Sequence, residues 1–393
     1  MSDLTYFDYA ATTPVDSRVL EAMLPYFTEK FGNPSSVHRY GQRAEAAVET
    51  ARETVAAGLH CRPDEIVFTS CGTESDNLAI RGAAMARRAS TGANRIITSR
   101  AEHHAVSKTA GQLEKYYGFQ VDWLELDEYG MVSPEAVEQA IRPETALVSV
   151  MAANNEIGTL NPVAEIATVC RAHAVPIHSD AVQAAAYLPL DLQDLGVDLL
   201  ALGAHKFYGP KGIGALYVRT GIALLPSQTG GGQEHALRAG TQNVPYIAGF
   251  AEAFRLTVAE RDRRAADVLP LRDRIIGRVL EEIPEARLTG HPEVRLPNHA
   301  SFAFKDMDGN LLLTLLDATG FACSSGSACK TGNPEPSEVM AAIGLPPQWG
   351  LGSLRVTLGK DSTAAQVEAF LEVLPGLVQK ARALNRRSPT GSI

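Results

Sequence analysis

Short apolar runs alternate along the chain with stretches whose apolar residues recur every three or four positions. The apolar runs at 65–69, 95–98, 120–124, 146–152, 176–179 and 198–202 read as strands. The stretches between them, 45–59, 75–88, 106–117, 134–141 and 162–173, read as helices. Strand and helix repeated in this order predict an α/β fold with a mostly parallel sheet. A further run at 214–218 adds a strand. The pattern changes near residue 255. Residues 254–280 are Arg-rich and helical in period, with Pro270 marking a kink or break. Shorter strands at 300–304 and 354–358, with helices near 310–316 and 364–384, predict a second, smaller α+β domain. The expected division is a large domain over 15–257, a small domain built from 1–14 and 258–385, and a disordered tail over 386–393.

Composition narrows the function. A length of 393 residues suits two or three domains, at about 150 residues each. Hydrophobic residues at 45% and charged residues at 21% fit a soluble globular protein. A net charge of −9 argues against nucleic acid or an anionic membrane as partner. The basic run 382–387 reads as a solvated helix end. No apolar run reaches the roughly 18 residues of a membrane span. The five cysteines are scattered, with no CxxC pair and no zinc spacing, so a reduced, cytoplasmic location is expected. The N-terminus lacks the pattern of a signal peptide.

Several short segments carry candidate chemistry. In Phe68-Thr69-Ser70-Cys71-Gly72-Thr73-Glu74-Ser75 a strand gives way to a helix. The turn is either an ordinary helix start or an anion site built from free N–H groups. Asp180 ends one strand and Lys206 follows another, in Gly203-Ala204-His205-Lys206. Ligands bind at such carboxyl ends of open α/β sheets. A buried lysine with a depressed pKa can form a Schiff base. Pyridoxal phosphate needs such a lysine, an acidic partner for its ring nitrogen and a phosphate cradle. Lys206, Asp180 and Gly72-Thr73 supply one each. His103 stands where it can lie on a cofactor face, or act as a turn histidine. Arg355, inside a strand, can clamp a carboxylate. Cys329 sits among small polar residues beside Lys330, which favours an exposed, partly ionised thiol. Cys323, closing an apolar stretch, reads as structural. No GxGxxG joins a strand to a helix, which disfavours a nicotinamide dehydrogenase.

At these segments the chain resembles the cysteine desulfurases of the NifS/IscS type, in the class V aminotransferase-like superfamily. The segments are Asp8-Tyr9-Ala10-Ala11-Thr12-Thr13-Pro14, Gly32-Asn33-Pro34-Ser35-Ser36, Thr69 through Asn77, Asn154-Asn155-Glu156-Ile157-Gly158, His205 through Gly214, Arg238-Ala239-Gly240-Thr241 and Ser324-Ser325-Gly326-Ser327-Ala328-Cys329. The resemblance runs from about Tyr6 to Leu384. It implies a pyridoxal-phosphate-dependent transferase of the aspartate aminotransferase-like fold type I, working as a homodimer.

The resemblance also implies roles. Lys206 would hold the cofactor through a Schiff base and move the α-proton of L-cysteine. Asp180 would bond the ring nitrogen, Gln183 and Asn155 would approach the phenolic oxygen, and His103 would stack on the ring and help move protons. Gly72, Thr73 and His205 would hold the phosphate, with Thr241 coming from the other subunit. Arg355 and Asn33 would bind the substrate carboxylate. Cys329 would take the sulfur as a persulfide and pass it to an acceptor, an iron–sulfur scaffold protein, touching an iron–sulfur cluster transiently. The product would be L-alanine. A selenocysteine lyase or class V transaminase is the alternative on the same fold. Two positions depart from the pattern. Gly203 stands where many relatives have a phosphate-binding Ser, so a backbone contact alone is expected there. Lys330 replaces a small hydroxyl residue.

Overall fold

The structure, a computed structural model, describes residues 4–325 and 336–385. Its strands are β1 (Thr5–Tyr6), β2 (Ile66–Thr69), β3 (Arg95–Ser99), β4 (Gln120–Leu124), β5 (Thr145–Ser149), β6 (Ile177–Asp180), β7 (Leu199–Gly203), β8 (Gly214–Val218), β9 (Ala286–Leu288), β10 (His299–Phe304), β11 (Phe321–Ala322) and β12 (Ser353–Thr357). Seven form one sheet in the order β2-β8-β7-β6-β5-β3-β4. β8 runs antiparallel to both neighbours, and the remaining pairs are parallel. Strands β2, β5, β6, β7 and β8 are buried at every position. Helices cover both faces of such a sheet, so its strands read as continuous apolar runs rather than alternating ones.

The helices Gly72–Thr91, His104–Tyr117, Pro134–Ala140 and Val163–Ala172 connect successive parallel strands. The carboxyl ends of β2, β3, β6 and β7 therefore share one edge, where the chain turns into Gly72, His103, Ala181 and Ala204. Close packing at this edge depends on Gly214. A Cβ there would lie 2.6–2.8 Å from the Cys71 backbone and the Leu202 carbonyl.

A second sheet, β12-β10-β9, is antiparallel and carries Arg355 on β12. β1 pairs in parallel with β11, so the N-terminal residues join this second unit. Phe7 packs there against Phe321 and Phe370. The N-terminal segment then crosses to the large sheet. Ala10 N–H donates to Thr357 Oγ1 at 2.9 Å, and Thr13 N–H donates to the His205 carbonyl at 2.8 Å.

The helix expected over 254–280 is longer, Val244–Glu282, and runs unbroken through Pro270. Proline removes one intrahelical donor. The buried side chains Val268, Arg272 and Ile275 on either side hold the helix together across that gap. Elements absent from the sequence reading are short: the strands β1, β9 and β11, and the helices Ser17–Met23, Pro25–Thr28, Leu192–Leu195, Glu338–Ala342 and Pro347–Gly350. No helix among the described residues is long and apolar enough to cross a membrane. The tail expected over 386–393 lies outside the described residues.

Candidate active site

A cavity of about 320 Å³ opens at the carboxyl edge of the large sheet. Gly72, Thr73, His103, Asn155, Asp180, Gln183, His205, Lys206 and Arg355 all line it. Nine of the residues singled out from sequence thus meet in one place, although they span nearly 300 positions of the chain.

Lys206 closes the short turn Ala204–Lys206 that follows β7. Its ammonium donates to the Ala10 and Ala11 carbonyls at 2.5 and 2.8 Å. Burial, with help from the Arg355 charge, brings its pKa down to about 8, against the pull of Asp180 and Asp8. A lysine in that state has a sizeable free-amine fraction near neutral pH, which a Schiff base requires.

Asp180 is the last residue of β6 and is 4% exposed. Its Oδ1 accepts the Val182 N–H at 2.9 Å. Burial raises its pKa, while His103 and Lys206 oppose the rise. His103 caps the helix His104–Tyr117, and its Nδ1 accepts the Ala105 N–H at 3.1 Å. That bond makes Nδ1 an acceptor and leaves the proton of the neutral ring on Nε2. The residue is exposed and borders the cavity, and desolvation lowers its pKa.

The other end of the cavity is the start of the helix Gly72–Thr91. Cys71 is its N-cap and makes no side-chain capping bond. An uncapped helix start presents free N–H groups and a positive dipole end, a ready anion site. A Cβ on Gly72 would come within 2.6 Å of Val182 Cγ2. Gly203 packs behind it, its ideal Cβ position 3.4 Å from Gly72 N. His205 faces the same end, its Nδ1 3.2 Å from Thr12 Oγ1. Burial and the Lys206 charge push its pKa down to about 4, so the ring is neutral. Glu74 fixes the turn, accepting from Ser70 N–H at 2.6 Å and Arg238 Nε at 3.0 Å.

Arg355 reaches the cavity from the second sheet. It donates to the Asn155 carbonyl at 2.9 Å and to Asp8 Oδ1 at 2.8 Å. Gln183 donates to the Ala10 carbonyl at 2.8 Å. Asn33 and Thr241 do not line the cavity. Both are exposed, and Asn33 Oδ1 accepts the Ser35 N–H at 3.0 Å. Cys329 and Lys330 lie outside the described residues. The chain approaching them is bridged to β12, with Arg355 N–H donating to the Ser324 carbonyl at 2.7 Å.

Sequence reasoning missed two buried acids. Asp76, one turn into the helix Gly72–Thr91, lines the cavity and is 1% exposed. Glu102, directly before His103, is 4% exposed and accepts from Ser99 Oγ and Met151 N–H. Burial first, then the Asp180 and Glu102 charges, raises Asp76 well above the usual carboxylate range. Burial likewise pushes Glu102 up to about 8. Asp76, His103 and Asp180 each place one ligand atom within 4.8 Å of the others. Burial favours the proton on Asp76, which leaves one carboxylate and one imidazole, too few ligands for a hard cation.

Pyridoxal phosphate, the cofactor expected from the resemblance, fits these residues. A low-pKa amine, a buried carboxylate, an open imidazole face and an uncapped helix start converge on one cavity of small-molecule size.

The comparisons with known proteins agree. The family model described as aminotransferase class-V matches residues 5–370. The cysteine desulfurase IscS of Methanosarcina thermophila is 47% identical over 384 residues, covering 98% of this chain and 94% of that protein. Cysteine desulfurase IscS 1 of Archaeoglobus fulgidus is 45% identical, covering 97% of this chain and 99% of that protein. Among solved structures, a NifS-like protein superposes with a TM-score of 0.89 at 37% identity, covering 96% of this chain and 100% of that one. SspA in complex with cysteine gives a TM-score of 0.79 at 36% identity, covering 91% and 100%. The chain belongs to the class V aminotransferase family and, within it, to the pyridoxal-phosphate-dependent cysteine desulfurases.

Proposed function

We propose that the protein converts L-cysteine to L-alanine and carries the released sulfur as a persulfide on Cys329. The observation that carries this reading is the meeting of Lys206, Asp180, His103 and the Gly72 helix start in one cavity.

When bound, pyridoxal phosphate supplies an electron sink conjugated to the substrate's α-carbon. The protein's own residues do the rest. The Gly72 and Thr73 end, with neutral His205, would anchor the phosphate. Asp180 would pair with the ring nitrogen and keep it protonated. Lys206, already weakly basic, takes the α-proton and returns it. His103 offers Nε2–H toward the cavity as a second proton carrier. Arg355 binds the substrate carboxylate, which competes with Asp8 for the guanidinium. The Cys329 thiolate then attacks the substrate sulfur. The carbon–sulfur bond breaks, a sulfur–sulfur bond forms, and the carbon keeps the electron pair and gains a proton.

The reading extends to partners. The acceptor is an iron–sulfur scaffold protein, with a transient cluster contact at Cys329, and the setting is the cytoplasm. A homodimer is supported by Leu20, Leu24, Phe27, Phe31 and Tyr40, large apolar side chains left exposed within one N-terminal stretch, since an interface would cover such side chains. Exposed Thr241 fits a contribution to the neighbouring site. The domain division at 257/258 and the roles of Asn33 and Thr241 belong to the same proposal.

The test is to expose the protein to L-cysteine without reductant, alkylate it and weigh its peptides. The Cys329 peptide should gain the mass of one sulfur atom, and a Lys206→Ala variant should not show the gain. An unmodified Cys329 peptide in the native protein refutes the reading.

A further inference from the structure

A second cavity, of about 360 Å³, lies at the opposite edge of the large sheet. Pro176 and Asp198, just ahead of β6 and β7, contribute to it, as does Arg219, just after antiparallel β8. Arg87 and Arg171 enter from near the C-terminal ends of the helices Gly72–Thr91 and Val163–Ala172.

Three guanidiniums therefore line one cavity, against a single carboxylate. Asp198 is partly spent: it sits 3.4 Å from Arg219 Nε, and its Oδ2 accepts the Ile177 N–H at 2.9 Å. Neither Arg87 nor Arg171 has an ion-pair partner among the described residues. Each guanidinium is held in place by a backbone carbonyl. Arg87 donates to Ala174 at 2.8 Å, Arg171 to Gly196 at 3.2 Å and Arg219 to Val197 at 2.9 Å. Satisfying helix-end and turn carbonyls explains one bond each. It does not explain why three cations converge in a chain whose net charge is −9. Arg87 Nε is also buried with no hydrogen-bond partner among the described residues, an exception in folded proteins.

We propose that this cavity binds a small organic dianion, a phosphate monoester or a dicarboxylate, with its apolar body against Ala83, Val175 and Ile222. Guanidiniums fixed by carbonyls are pre-organised forks for either oxyanion. The site is separate from the cofactor cavity, which lies at the other ends of the same strands.

The test uses holoenzyme, so that the cofactor's own phosphate site is filled. Phenyl phosphate, phthalate and inorganic phosphate are titrated calorimetrically at constant ionic strength. One of the two aromatic probes should bind at a single site per chain, at least about tenfold more tightly than inorganic phosphate, because only they use the apolar wall. Preference for phenyl phosphate identifies a phosphate ligand; preference for phthalate identifies a dicarboxylate. Arg171→Ala should weaken binding about tenfold, the loss expected for one charge-assisted contact. Ala86→Glu, which adds a like charge to the cavity wall and leaves every arginine anchor intact, should do the same. Both variants should keep the native rate of alanine formation. The proposal fails if neither aromatic probe binds, or if binding survives both variants unchanged.

Discussion

Asp76 and Asp180 bury their carboxyl groups side by side, each with an oxygen within 4.8 Å of the other. Two buried carboxylates this close do not both ionise. The Val182 N–H and the Lys206 ammonium favour the charged form of Asp180. No such group bears on Asp76 among the described residues. Its Oδ1 makes no hydrogen bond, and the nearest imidazole, His178 Nε2 at 3.4 Å, is held neutral by burial with its pKa near 3. We therefore place the shared proton on Asp76 and the charge on Asp180, the arrangement that the proposed pairing with the cofactor's ring nitrogen requires. Asp76→Asn should keep cofactor absorbance and activity within about threefold at pH 7, because it replaces a group that is already neutral. Asp180→Asn should cost at least about a hundredfold. Equal damage from the two substitutions would contradict this assignment.

Lys206 gives a pH prediction for the cofactor-free protein. Its pKa is lowered from 10.5 to about 8, and only the free amine attacks the cofactor's aldehyde. The rate of cofactor uptake should rise from pH 6.5, reach half its maximum near pH 8 and level off about one unit higher. Stopped-flow absorbance after cofactor removal measures this. A rate that keeps climbing through pH 10 would mean an unperturbed lysine.

Glu102 links stability to pH. Its folded pKa is raised from 4.5 to about 8, chiefly by burial. Between those values the folded protein keeps a proton that the unfolded chain releases. Unfolding free energy from this group therefore falls as pH rises from 4.5 to about 8, and is flat above. Glu102→Gln abolishes that loss. The variant should melt within a few degrees of the native protein near pH 5 and clearly above it at pH 8, because one pKa unit is about 1.4 kcal/mol and each kcal/mol moves the midpoint of a large domain by a few degrees. Parallel melting curves across the range would contradict the buried, protonated acid.

The carboxyl-edge residues were legible in the sequence because strand ends are legible. Asp180 and Lys206 follow apolar runs, and Gly72-Thr73 stands between such a run and a helix. Asp76 was not, because an acid on a helix reads as a solvated face; only its position one turn past the glycine turn hints otherwise. Glu102 carried a better signal, an acid at a strand end beside His103. The acceptors for Lys206 are the Ala10 and Ala11 carbonyls, and backbone groups have no side-chain signature. Asn33 and Thr241 lie outside the cavity; the resemblance, and not the local pattern, points to Thr241 as the other subunit's contribution. The helix through Pro270 shows tertiary packing overriding a local breaker.

The phosphate end allows a paired test at two glycines. Gly203 is extended, with φ −138°, and a Cβ there meets only ordinary contacts at 3.4 Å or more. Gly203→Ser should fold normally and tighten cofactor binding up to about tenfold, through one added charge-assisted bond. Gly72→Ala drives a Cβ to 2.6 Å from Val182 Cγ2, and should weaken binding by at least about tenfold, as overpacking of about 1–3 kcal/mol implies. Dissociation constants from fluorescence titration decide both. Weaker binding in Gly203→Ser, or native binding in Gly72→Ala, would misplace the phosphate.

The central claim is that cofactor chemistry at Lys206 is coupled to sulfur capture at Cys329. Its most direct measurement is alanine formation from L-cysteine, with a thiol reductant present, by the native protein and by Cys329→Ala. The native protein should form alanine. The variant should keep its cofactor absorbance and lose at least about a hundredfold in rate. Equal alanine formation by the two proteins would contradict the claim and leave a lyase or transaminase in its place.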